Sequence, residues 1–191
     1  MKKLLFGLLA MLCFAVGNSQ SFMHGIGINV FVSSVSGGQS NVTGGISYTP
    51  RVNFIEGDDM SVSAGLPFTV GFTGSGSYNS RSGVSDGSSV SFVFNAPLIV
   101  NLNMGAGSTK DAESRFGYFV GAGYGYHYGM YVATDAIVGD VSTQFSTTGP
   151  VANAGIRLGV GSHSVEVRVQ YMKGLSDVKP NIFSAGAAFV F

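Results

Sequence analysis

Four charged residues are spaced so that they can meet. Arg157 and Glu166 flank a Gly161-Ser162 pair. If that pair forms a two-residue turn, Val160 faces His163 and, counting back, Arg157 faces Glu166. Opposite charges directly across an antiparallel pair attract. Arg51 and Arg168 fall on the same strand face and are expected to join them. Buried charges are tolerated only when paired. The expected chemistry is a structural polar plug; a charged gate or pore constriction is the other use of the same residues.

The remaining chemistry-bearing residues are sparse. The histidines are His24, His127 and His163. General-base work needs hydrogen-bond reach to a substrate, and the spacing brings no serine beside His127, which alternates with Gly125 and Gly129. His127 is expected to be buried or interfacial, His24 and His163 to lie at a rim. The glycine-rich run 121–129 is followed by no helix, so it fails as a dinucleotide fingerprint. Asp86, Asp135, Asp140 and Asp177 lack calcium-loop spacing and are expected to be solvated. No catalytic residue, metal site or cofactor is expected.

These residues belong to a chain of 191 with 10% charged and 45% hydrophobic residues, 29 glycines and a formal charge of zero. A soluble domain carries about 25% charged residues. The absence of a basic excess argues against nucleic-acid binding. The apolar content argues against disorder, and scarce Glu, Lys and Arg against a coiled coil. Residues 1–3 are short and basic, 4–16 form an unbroken run of 13 apolar residues or glycine, and Gly17 and Ser19 are small. That is the layout of a secretory signal peptide, and the run is too short for a spanning helix of about 20 residues. The expected division is a signal peptide, 1–19, and one domain, 20–191. Cleavage removes Cys13, the only cysteine, and leaves no disulfide framework.

The rest of the chain alternates with period two, the signature of strands. Eight stretches show it: 22–32, 42–55, 61–72, 90–102, 116–130, 152–160, 165–171 and 182–191. On one face, counted from His24 in the first stretch and from Gly44 in the second, 43 of 46 positions are apolar. The opposite face is small and polar, rich in Gly, Ser, Thr and Asn. A soluble barrel would turn that face to water, yet its charges are only Arg51, Arg157, Glu166 and Arg168. Turning the apolar face to lipid removes the conflict. Only helices and closed barrels can span lipid, because every backbone group must be paired. The fold expected is an all-β, eight-stranded antiparallel up-and-down transmembrane β-barrel, with glycine relieving crowding in a narrow lumen. Phe119 is expected to fill that lumen beside the glycines.

Outer loops are expected at 33–41, 73–89, 131–151 and 172–181, and periplasmic turns at 56–60, 105–115 and 161–162. The turn 105–115 is longer than such turns usually are. Aromatic belts are expected at both ends, with Phe68, Phe72, Phe92, Phe94, Tyr124, Tyr126, Tyr128 and Tyr171 outward and Phe22, Phe54, Phe116, Tyr118, Phe189 and Phe191 toward the periplasm. Pro50, Pro67 and Pro97 lie within expected strands, where a closed barrel offers no edge to hide them; bulges or displaced strand ends are expected there.

The chain ends Phe183-x-Ala185-x-Ala187-x-Phe189-x-Phe191. This terminal pattern resembles the insertion signal of bacterial outer-membrane proteins, with Phe189 and Phe191 as its aromatic positions. With the leader and the eight strands, the chain resembles the small eight-stranded outer-membrane β-barrel family of the OmpA-barrel and OmpX type. The resemblance implies export through the general secretion pathway, periplasmic chaperones, insertion by the barrel-assembly machinery, and a monomeric plugged barrel among outer-membrane lipid and lipopolysaccharide. It implies a structural or surface-interaction role, with a surface ligand reached through the loops, though a few such barrels are lipid-modifying enzymes; the residues themselves give no expectation of enzyme activity. The alternatives are a small porin-like channel for ions or solutes and an outer-membrane lipid-modifying enzyme of the lipid A deacylase kind.

Overall fold

The computed structural model describes residues 21–34, 41–79, 84–135, 139–176 and 179–191. The signal-peptide reading of 1–19 lies outside them, as do parts of all four expected outer loops. Eleven strand segments follow in chain order: β1 (Ser21–Met23), β2 (Gly25–Ser34), β3 (Asn41–Tyr48), β4 (Arg51–Glu56), β5 (Met60–Gly65), β6 (Phe68–Asn79), β7 (Val84–Gly105), β8 (Phe116–Asp135), β9 (Gly139–Val160), β10 (His163–Lys173) and β11 (Asn181–Val190). They make eight staves, because β1 runs on into β2, β3 into β4, and β5 into β6. Each stave pairs antiparallel with its neighbours, and β11 pairs with β2 from Asn181↔Ser34 to Val190↔Gly25, which closes the sheet. At the seam His24 N–H donates to Phe191 O at 3.0 Å, and Phe191 N–H to His24 O at 2.8 Å. The result is a closed eight-stranded antiparallel barrel, with no helix among the described residues.

No bulge falls at the three prolines; Pro50 and Pro67 meet the other expectation, an interrupted strand. Pro50 and Pro67 fall in the short breaks between β3 and β4 and between β5 and β6, and the register is the same on both sides of each break. Leu66 N–H still donates to Pro50 O, at 3.0 Å. Successive N–H groups on a strand point to opposite neighbours, so the Pro67 nitrogen points to the next stave. There the register puts Pro97 opposite it. Both members of one rung lack a donor, so a single rung is lost. The bulges lie elsewhere, at Asn53/Ile55 and Ser77/Tyr78. The first inserts Phe54 as an extra residue and shifts the phase, so Ile55 faces outward and Glu56 reaches inward to Ser21 and Asn53.

Within the expected loops 73–89 and 131–151, the described residues 73–79, 84–89, 131–135 and 139–151 are strand, which corrects the loop reading there. β6 runs to Asn79, β7 begins at Val84, β8 runs to Asp135 and β9 begins at Gly139. The 22 residues of β7 and β9 compare with about 9–11 needed to cross lipid as a tilted strand. About ten residues, or roughly 33 Å, stand beyond the bilayer. β6, β7, β8 and β9 stay paired through this extension, from Asn79↔Val84 to Ser88↔Thr134 and Asp135↔Gly139. The barrel therefore has a tall hairpin end. Its opposite, turn end carries Ser21, Phe191 and the three connections β4–β5, β7–β8 and β9–β10.

Alternation sets the two surfaces. Outside, Ile26, Ile28, Val30, Ile46, Val70, Phe72, Val100, Val120 and Val169 are exposed, Ile28 by 64% and Ile46 by 69%. Tyr124, Tyr126 and Tyr171 girdle the hairpin side; Phe22, Phe116, Tyr118, Phe189 and Phe191 girdle the turn end, all exposed. A continuous apolar exterior of this kind is stable only against lipid. Ile28→Arg is therefore expected to destabilise the barrel in phospholipid vesicles by about 2–4 kcal/mol, the cost of a cation at mid-bilayer, read from urea unfolding by circular dichroism. An unchanged midpoint would contradict the lipid-facing assignment.

Candidate functional site

The lumen holds the side chains that the alternation turns inward, and it is layered. Toward the hairpin end lies an apolar layer of Phe31, Val93, Ile99, Val151, Met172 and Ile182, all buried, with buried Pro97 among them. The sequence reading of a small, polar lumen is qualified here by an apolar layer. Five staves contribute these larger apolar residues, two of them from β7, to an otherwise small inner face. His127 is buried beside this layer between the rings of Phe31 and Phe145, each 5.7 Å away. Its Nδ1 is 3.2 Å from Asn95 Oδ1, a partner that is neither serine nor carboxylate.

Toward the turn end lies the charged layer. Gly161 has φ +64° and opens the two-residue turn between β9 and β10, a geometry that favours glycine at this position. The turn sets Val160 opposite His163 and Arg157 opposite Glu166. Arg157 Nε donates to Glu166 Oε2 at 2.6 Å, and Arg168 donates from Nε to Glu166 Oε1 at 2.9 Å and from Nη2 to the same oxygen. Both carboxylate oxygens are thus engaged. Arg157 and Glu166 are almost fully buried and Arg168 nearly so. Phe119 lies inside the lumen, with the guanidinium of Arg157 4.3 Å and that of Arg168 5.7 Å from its ring centre. Both lie within the range of cation–π attraction. Gly155 makes room for that ring, since a Cβ there would stand 2.5 Å from it.

Arg51 reaches the same layer from the far side of the barrel. Its Nη1 donates to Asn103 Oδ1 at 3.3 Å, and Arg157 Nη1 donates to the same oxygen at 3.0 Å. Asn103 therefore bridges two guanidinium groups, and its own amide donates to Ser61 and Ser63. The long turn 105–115 supplies what the sequence left unexplained. It folds back into the barrel mouth, burying Ala106, Ser108 and Thr109. Arg51 Nη2 and Arg157 Nη1 donate to Gly107 O, while Asn53 and Ser61 donate to Ser108 O at 2.9 and 2.6 Å. Gly107 has φ +63°, and a Cβ there would stand 2.6 Å from Ser164 Oγ, so only glycine lets the turn enter so far. Asn53, Asn103 and this turn are the partners that sequence reasoning missed. The one legible sign was the turn's excess length.

At the rim, His24 and His163 pack around the C-terminal residue, with ring centres 4.4 and 6.3 Å from that of Phe191. Phe189 and Phe191 pack on each other at 5.9 Å. A cavity of about 560 Å³ opens at this end, lined by Lys110, Arg115, His163, Ser164 and Phe191 among others.

A closed eight-stranded barrel with an apolar exterior and a filled lumen defines a small transmembrane β-barrel. Solved structures of such proteins are similar to this chain. Ail, the attachment invasion locus protein of Yersinia pestis, is 16% identical over 90% of this chain and 98% of its own, with a TM-score of 0.53. The same protein in complex with the heparin analogue sucrose octasulfate is 16% identical over the same shares, with a TM-score of 0.54. Neisserial surface protein A is 13% identical over 91% of this chain and 98% of its own, with a TM-score of 0.45. No protein-family model matches the chain, and no curated protein matches it. The likeness to Ail is one of fold: this chain has the fold of the small outer-membrane β-barrels.

Removing one member of a buried pair leaves the other charge stranded, at about 3–5 kcal/mol. Glu166→Ala strands two arginines and is expected to lower unfolding free energy in detergent by at least that much. An unchanged unfolding midpoint would contradict the pairing.

Proposed function

We propose that the protein is an integral outer-membrane barrel that acts through its hairpin end, as a surface-interaction or structural protein with a sealed lumen. The observation that carries this reading is the surplus of strand in β6 to β9, about ten residues beyond what a bilayer needs. Such an extension adds nothing to spanning, and it presents a four-stranded sheet to the outside. The turn end faces the periplasm, where the chain is delivered by the general secretion pathway and its chaperones. The barrel-assembly machinery inserts it by the Phe189 and Phe191 terminus. It lies as a monomer among outer-membrane lipid and lipopolysaccharide.

The surface partner is expected to differ from a sulfated glycan. Residues 33–41, 73–89, 131–151 and 172–181 hold Arg81, Lys173 and Lys179 against Asp86, Asp135, Asp140 and Asp177, three cations minus four anions. A polyanion would meet a slightly negative surface. The 16 residues 74–89 include seven serines and four glycines, which favours hydrogen bonding to an uncharged polar partner. An enzyme is disfavoured because His127 bonds to Asn95 and sits under aromatic rings. A small pore is the second reading, supported by the cavity at the turn end; the apolar layer beyond it argues against conduction.

Reconstituted in planar bilayers, the protein is expected to show no steady conductance. Shortening the hairpins to β6–β7 and β8–β9 stubs is expected to leave the folded barrel intact and to abolish its adhesion to whole cells or matrix. Steady single-channel steps, or adhesion unaffected by the shortening, would overturn the proposal.

A further inference from the structure

We infer that the charged layer of the lumen is a binding site for one small monovalent anion of chloride size, held between Arg51, Arg157 and Arg168. The first support is the charge balance. Three guanidinium groups share a buried cross-section with Glu166, and the next carboxylate is Glu56, bonded to Ser21 and Asn53 beside Arg51. Three cations against two carboxylates leave one positive charge uncompensated. A buried net charge is strongly disfavoured unless a counter-charge joins it.

The second support is a set of donors. Arg51 Nε is buried and has no acceptor. Among the described residues Arg157 Nη2 and Arg168 Nη1 also donate to none; these two arginines donate through Nε and Nη1 of Arg157 and Nε and Nη2 of Arg168. One donor from each arginine is therefore available. The third support is space. A cavity of about 20 Å³ lies between these groups, lined by Arg51, Arg157, Arg168, Glu166, Thr49 and Asn101. That exceeds the roughly 10–15 Å³ needed for one water and is too small for phosphate or sulfate. Glu166 also lines the cavity, but both its oxygens are engaged by arginines, so it does not repel the ion as a free carboxylate would. Water would satisfy the donors but leave the charge in place. A halide does both.

The test uses the full mature barrel, crystallised with sodium bromide as the probe and measured at the bromine absorption edge. The expected result is an anomalous peak within hydrogen-bond reach of Arg51 Nε and Arg168, lost in Arg168→Gln. In parallel, the thermal midpoint followed by circular dichroism is expected to rise with chloride and saturate, as for a ligand bound only by the folded state. Ionic strength is held constant with gluconate, which is too large to enter. Arg51→Gln is expected to abolish the rise; if it does not fold, Arg168→Gln, the most exposed of the three, carries the comparison. Three outcomes overturn the inference: a wild-type site without anomalous signal, a peak that persists in the variant, or equal midpoints in chloride and gluconate.

Discussion

In lipid no water is available to a backbone N–H or C=O, so each must find its partner within the chain. The rest of this structure depends on that constraint. It demands a closed sheet, and with eight staves closure leaves an interior just wide enough for side chains. Crowding then selects the inner face. At Gly27 a Cβ would lie 2.0 Å from the Ala187 carbonyl oxygen, and at Gly186 1.6 Å from Asn29 Oδ1. The 29 glycines are in good part the cost of closure rather than a mark of flexible loops. The paired loss of donors at Pro67 and Pro97 obeys the same constraint, since it confines the missing hydrogen bonds to one rung.

A narrow lumen must still be filled, and this barrel fills it by two different means. The hairpin half uses Phe31, Val93, Ile99, Val151, Met172 and Ile182, whose burial needs no partner. The turn half uses arginines, each of which must be satisfied. That need explains the turn 105–115. Arginines from β4 and β9 stand on opposite sides of the mouth, and a main-chain carbonyl inserted between them accepts from both. The turn, the Asn103 bridge and the Phe119 ring form one assembly with Glu166 at its centre. The lumen thus carries two packed layers in series, one apolar and one ionic.

Much of this was legible in the residues. The face rule placed the apolar exterior, and the facing of Arg157 and Glu166 follows by counting from Gly161-Ser162. What remained hidden had physical reasons. The extended hairpins read as loops because 74–89 is mostly Ser and Gly, so no apolar phase marks it as strand. The phase shift at Phe54 followed from a bulge, and a bulge has no reliable signature in an aromatic residue. Asn103 meets Arg157 across 54 positions, a distance set by closure and stave order that local spacing does not encode. The six apolar inner residues looked like scattered exceptions on five strands; only the barrel's geometry makes them one layer.

The central claim is that this chain is a closed barrel held in the outer membrane. Cell fractionation followed by gel electrophoresis of unboiled and boiled samples tests it most directly. The account predicts recovery in the outer-membrane fraction, with the unboiled band migrating faster than the boiled one because the closed sheet resists detergent until heated. Recovery in the soluble periplasmic fraction, with identical migration before and after boiling, would contradict it.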